Sequence, residues 1–104
     1  MGININVRDG VARLTMSGRF DFQLHRDFKE AYTPLVEDAT VRELEIELSQ
    51  IDHIDSSALG MLMLLNERAK VTNKPLTLLN PSGVTAQALE IAHFDRLFKI
   101  KQAS

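Results

Sequence analysis

The stretch that decides the fold is Arg42–Leu65, RELEIELSQIDHIDSSALGMLMLL. Its opening residues alternate strictly: Leu44, Ile46 and Leu48 face one way, and Glu43, Glu45 and Glu47 the other. A period of two is a strand's period. Ionised carboxylates cannot face a dry layer unpaired. The sheet holding this strand therefore has one face on a core and one in water, unlike a parallel sheet sandwiched between two helix layers. The second part of the stretch begins an apolar helix, from about Ser56 to Val71. Asp55 is a favoured N-cap, and Ser56 and Ser57 then occupy the first turn.

Working towards the N-terminus, Ile3, Ile5 and Val7 alternate with Asn4, Asn6 and Arg8, which predicts a half-buried strand. Asp9-Gly10 is a hairpin signal, because a two-residue turn needs positive φ. A return strand over Val11–Ser17 follows, with Ala12, Leu14 and Met16 inward, and Gly18 is expected to end it. Leu24, Phe28, Ala31 and Leu35 form one helical stripe within a helix over about Gln23–Asp38. Pro34 should kink that helix or end its regular part near Thr33, since its ring clashes with the carbonyl four residues back.

Towards the C-terminus, Leu76–Leu79 predicts a short strand, Asn80-Pro81 breaks it, and Ser82 is placed to cap another helix. Val84, Ala88, Ile91 and Ala92 are expected on that helix's inner face. Leu97–Ile100 predicts a last strand. The order β-β-α-β-α-β-α-β with right-handed crossovers puts every helix on one side of the sheet. The glutamates of Arg42–Ser49 predict the same one-sided arrangement independently. The expected fold is α/β: an N-terminal β-hairpin continued into a mixed, mainly parallel sheet of about 4–5 strands, with the helices on one face.

The chain has 104 residues, 44% of them hydrophobic, which suits one domain over residues 1–104 with a modest core. A formal net charge of −2 with scattered Lys and Arg gives no footprint for nucleic acid. There is no Cys, which excludes disulfides and thiolate chemistry and fits the cytoplasm. The start, MGININVRDG, has no basic segment leading into an apolar one, so no signal peptide is expected. Asn6 stands where a myristoylation signal has Ser or Thr. The apolar run Leu59–Leu65 is far short of the roughly 18–20 residues that a membrane span needs, so no membrane insertion is expected.

The helix from Ser56 sorts by face at about 100° per residue. Ala58, Met61, Leu62, Leu65, Ala69 and Thr72 share one arc, the expected core stripe. Ser56, Leu59, Gly60, Met63 and Glu67 share the opposite arc, with Ser57 turned to the flank. Leu59 and Met63 thus stand where a solvated helix is polar, and an apolar pair beside a hydroxyl suggests a contact surface. A phosphoryl group on Ser56 would add about −1.5 to −2 charges at neutral pH. The helix N-terminus tolerates that charge, whereas a partner surface fitted to a neutral hydroxyl does not. The sequence on its own leaves a second reading in which Asp-Ser-Ser is ordinary capping chemistry.

The motif at Ile51–Leu65, a strand before it and GRFD at Gly18–Asp21 together resemble the STAS domain of bacterial anti-sigma factor antagonists. The resemblance covers essentially the whole chain in the same element order. It implies a non-enzymatic binding module without cofactor or metal. It implies that Ser56 is phosphorylated by a partner serine kinase, usually the anti-sigma factor itself, and dephosphorylated by a PP2C-type phosphatase. The unphosphorylated form would bind the anti-sigma factor and free its sigma factor. Asp55 matches the motif's preceding aspartate and Asp21 the family's loop aspartate near the phosphorylation site. Ser57 adjoins that site, and Leu59, Gly60 and Met63 are the expected partner-binding residues. The free chain is expected to be a monomer. Ala58 stands where the family usually has Gly; Ala is small and a better helix former, so little loss is expected. The chain ends at Ser104, where family members commonly carry a further helix, so contacts through such a helix are not expected. The alternative within the same fold is a STAS subunit of a transporter or other regulatory assembly that acts by constitutive contact.

Other chemistries find less support. His25, His53 and His93 have no second His or Cys at ligand spacing. Ser56 and Ser57 lack the flanking glycines of a nucleophile elbow and an evident His–Asp pair. Gly2, Gly10, Gly18, Gly60 and Gly83 form no phosphate-cradling loop.

Overall fold

The computed structural model describes residues 2–102; the chain's end, where a further helix would bear on the family comparison, lies outside them. Strands β1 (Gly2–Arg8), β2 (Val11–Phe20), β3 (Glu43–Ile54), β4 (Leu76–Leu79) and β5 (Lys99–Lys101) form one sheet in the order of the chain. β1 and β2 are antiparallel, and β2 through β5 run parallel. Helices α1 (His25–Glu37), α2 (Ser56–Val71) and α3 (Gly83–Ile91) make the crossovers. Phe28, Tyr32 and Val36 of α1, Leu62 and Leu65 of α2 and Leu89 of α3 join one apolar cluster with Leu14, Leu44, Ile46 and Leu78 of the sheet. One cluster shared by all three helices means one covered face, as the glutamate pattern requires.

The opposite face is mainly polar and partly paired, with buried Leu79 beside Glu47 as an apolar exception. Arg13 donates to Glu45 at 3.0 Å from the neighbouring strand. Glu47 accepts from the Ser49 amide at 2.6 Å and from the Asn80 side chain at 2.7 Å. Burial alone would raise the Glu47 pKa; hydrogen bonds from Ser49 and Asn80 and the charge of Arg13 outweigh it and hold the carboxyl below its ordinary value.

Five details differ from the sequence expectation. β2 does not stop at Gly18 but runs to Phe20, staying paired while β3 bulges: from Thr15 to Arg19 it advances four residues and β3, from Glu47 to His53, six, with Gly18 at φ 78°. α1 runs through Pro34 to Glu37. Pro34 and Glu30 are both exposed, so water can satisfy the Glu30 carbonyl that the proline leaves without a donor. On α3 the buried positions are Thr85 and Leu89, with Ala92 packed against the core after it, whereas Val84 and Ile91 are exposed. The predicted stripe is out of phase because polarity does not mark the inner side: polar Thr85 is fully buried and apolar Val84 and Ile91 are not. The last strand is Lys99–Lys101 rather than Leu97–Ile100, since Phe94–Arg96 first make a 3-10 turn that buries Phe94. Finally, of the β1 stripe only Ile3 packs on the core; Ile5 and Val7 are exposed on an edge strand that no helix covers along its whole length.

Candidate functional site

The site is assembled by the parallel pairing of β2 and β3. Phe20 lies opposite Ile54 in the last paired register, so the chain leaves both strands at the same end of the sheet. Adjacent strands lie about 4.8 Å apart. Asp21 and Asp55, each the next residue, therefore emerge side by side. Crevices at the carboxyl ends of parallel strands are where open α/β sheets bind their ligands.

Both aspartates cap the turn that follows. The Asp55 side chain accepts from the Ala58 amide at 3.1 Å, closing the N-terminus of α2. Asp21 accepts from the Gln23 amide at 3.0 Å and from Arg19 at 3.3 Å, which fixes the 3-10 turn Phe22–Leu24. An exposed pair such as Arg19–Asp21 adds little energy, but it orients the carboxylate. These caps place Ser56 as the first residue of α2, exposed to solvent, with Ser57 half-buried and Ala58 fully buried. The two serines differ by helix phase, as the sequence predicted.

The outward arc is partly as expected. Gly60 is exposed, with open space where a side chain would stand, and Met63 is 47% exposed. Leu59 is not free: it is half-buried and packed against the core, so its role as a contact residue is limited to its outer edge. Two exposed apolar residues were not picked out from sequence. Leu64 is 57% exposed on α2, and Phe22 is 67% exposed, stacked on His25 with ring centroids 5.6 Å apart. Leu64 had a signal, since it follows Gly60 by four residues and shares its face; Phe22 had none, because only the turn shows that Leu24 is the residue buried there.

A small groove between α1 and α2 opens beside Leu64, with Phe28, Tyr32 and Met61 as its apolar lining and Lys29 and Arg68 at its rim. Burial raises the Tyr32 pKa, opposed by the Arg68 charge, so the phenol stays neutral. Among the described residues no group of His, Cys, Asp or Glu could hold a metal ion, and no helix is long and apolar enough to cross a membrane.

Residues 3–100 match the sequence profile of the family described as "Mlab, STAS domain". A STAS-domain containing protein of Pseudomonas aeruginosa is 40% identical over 87 residues, 84% of either chain. Among solved structures, an anti-sigma-factor antagonist (STAS) domain protein from Planctomyces limnophilus superposes with a TM-score of 0.85 at 16% identity, covering 100% of this chain and 92% of the other. A sulfate transporter family protein from Wolinella succinogenes gives 0.77 at 19% identity, covering 91% of this chain and 79% of the other. At such identities the two structures speak for the fold alone.

Proposed function

The chain belongs to the STAS-domain family, and on that premise we propose that it is an anti-sigma factor antagonist switched by phosphorylation of Ser56. The observation that carries this reading is the exposed Ser56 hydroxyl on the first turn of a capped helix, on an arc with exposed Gly60 and Met63. Unphosphorylated, this surface binds an anti-sigma factor that is also a serine kinase, and the sigma factor is released. Bound ATP supplies the phosphoryl group: the Ser56 oxygen forms a bond to the γ-phosphorus, the bond to ADP breaks, and the hydroxyl proton passes to a base. A PP2C-type phosphatase reverses the step by hydrolysis. Kinase and phosphatase chemistry belong to the partners, and the domain itself is a cytoplasmic binding module spanning residues 1–104.

The switch is electrostatic. The dipole of α2 favours a phosphate at its N-terminus by about 0.3–1 kcal/mol, while the neighbouring carboxylates oppose it. The fold therefore tolerates the modification. A partner packed over Met63 and Gly60 would have to desolvate a charge of about −2 without a counter-charge, which costs several kcal/mol.

The test is binding of the purified anti-sigma factor to Ser56→Ala and Ser56→Asp proteins. The reading expects Ser56→Ala to bind whatever the kinase activity, and Ser56→Asp to bind at least tenfold more weakly. Equal binding by both, with no phosphorylated form in cells by intact mass, would favour a constitutive contact of the kind a transporter subunit makes.

A further inference from the structure

The second feature without a partner is the free edge of β1. Asp9 (φ 54°) and Gly10 (φ 81°) close the hairpin, with Arg8 opposite Val11. In a two-residue turn with positive φ at both positions, the flanking residues exchange both backbone hydrogen bonds, and bonded and non-bonded pairs then alternate. Asn6–Arg13 and Asn4–Thr15 are thus bonded pairs. The amides and carbonyls of Ile3, Ile5 and Val7 point the other way, to the edge where no strand of the described residues lies. The far side of the hairpin has the same phase: the Gly10 carbonyl accepts from the Arg42 and Glu43 amides at 2.7 and 3.2 Å, so the even-numbered residues of β2 face β3.

The side chains of Ile3, Ile5 and Val7 lie on the core face, across from Met16, Leu14 and Ala12. α1 begins over the start of β1, where Leu24 approaches Gly2, and then leads towards β3. It leaves Ile5 and Val7 43% and 50% exposed. Natural sheets guard such edges with lysine, proline or bulges. β1 has no lysine, proline or register shift.

We propose that β1 pairs antiparallel with β1 of a second copy, about a dyad at Ile5. In this register Ile5 faces its own counterpart, Ile3 faces the other copy's Val7, and Asn4 faces the other copy's Asn6. All three outward-pointing residues then sit in bonded pairs, which satisfies every free amide and carbonyl they offer. Arg8 falls opposite the other copy's Gly2, so no like charges meet. The dyad is perpendicular to the sheet, so both helix layers lie on one side and the two exposed apolar rows close on each other. One strand edge is a small interface, at the weak end of specific contacts, so the dimer is concentration-dependent. This departs from the monomer expected from sequence, and it does not involve Ser56, which follows the central strand β3 rather than the edge strand β1.

Sedimentation velocity from micromolar to millimolar concentration tests it. The expected result is a reversible monomer–dimer equilibrium that Ile5→Lys abolishes at every concentration, by setting two ammonium groups at the dyad, with the unfolding midpoint unchanged. The chain has no Cys, so Ile5→Cys supplies a unique thiol. A short bis-maleimide should join Ile5→Cys copies in pairs and leave Val71→Cys, on the exposed side of α2, as monomers; this arm decides the matter if Ile5→Lys fails to fold. A monomer at every concentration, a dimer that survives Ile5→Lys, or equal cross-linking at Val71→Cys would overturn the proposal. So would a strictly monomeric chain that instead takes up a strand from another protein at this edge.

Discussion

Asp21 and Asp55 follow directly on Phe20 and Ile54, the last register partners of two parallel strands, and each caps the turn it opens. The pairing of β2 with β3 thus brings Asp21 and Asp55 out at the same end of the sheet, with Asp55 capping the first turn of α2. Their geometry comes from backbone register rather than from flexible side chains, which suits the proposed presentation of the Ser56 hydroxyl in one place.

Loss of the Asp55 cap should be felt by the whole domain. Asp55→Ala leaves the Ala58 amide without its side-chain acceptor. The expected cost is about 1 kcal/mol, or roughly 4–8 °C in the melting midpoint of a domain this size. Asp55→Asn keeps an acceptor oxygen and should stay close to wild type. Thermal unfolding followed by circular dichroism measures both, and equal losses in the two variants would contradict the capping role.

The two sides of α2 should respond oppositely to substitution. Leu62 is fully buried, so Leu62→Ala should destabilise by about 2–5 kcal/mol through lost burial and a cavity. Met63 is the next residue and faces out, so Met63→Glu should change stability by less than about 0.5 kcal/mol. The same Met63→Glu should weaken capture of the anti-sigma factor at least tenfold. Urea denaturation and a binding titration, run on both proteins, separate the effects; unimpaired binding by Met63→Glu would remove this residue from the contact surface.

Gly18 is a backbone position rather than a packing one. Nothing lies within 4 Å of the place a Cβ would occupy, and φ is 78°. Gly18→Ala therefore meets no clash, and its cost is the left-handed conformation alone, about 1–3 kcal/mol. Because Gly18 lies opposite the bulged part of β3, just before Phe20 and Asp21, the variant should also alter binding at the Ser56 surface. Hydrogen exchange at Arg19–Asp21 would report the change, and unchanged protection there would show that this position tolerates an ordinary residue.

How much of this could be read in advance follows from how strongly each segment is patterned. RELEIELS has one solution, since shifting it by a residue would bury three carboxylates, and both the strand and the one-sided sheet were legible. The helix from Ser56 was legible in extent and face because Asp55 marks its start and a polar–apolar split orders its wheel. The phase of α3 is hidden because polarity does not mark its inner side: Thr85 is buried, whereas Val84 and Ile91 are exposed. The extension of β2 past Gly18 is hidden because glycine can end a strand or continue one opposite a bulge; only the pairing with Gln50 and Ile51 distinguishes the two. The exposed Ile5 and Val7 follow the strand period faithfully, and their exposure depends on where α1 crosses, which no local pattern encodes. Phe22 at the site escaped notice for a related reason: an aromatic residue in sequence looks like core until the turn that holds it is known.

Glu47 should make the outer face of the sheet sensitive to acid. Its carboxylate joins β3 to the Asn80 turn, accepting from the Ser49 amide and the Asn80 side chain, and its pKa lies below the ordinary value despite the cost of burial. A carboxyl whose pKa is depressed on folding stabilises the fold above its unfolded pKa and loses that contribution as pH falls through the folded one. Glu47→Gln removes the charge at every pH. Its stability should therefore fall below wild type at neutral pH, and the gap should narrow as the pH passes down through and below the ordinary carboxylate range. Paired urea titrations across that range measure the gap directly; a gap that stayed constant with pH would show that the ionised state of Glu47 contributes nothing to holding β3 and the Asn80 turn together.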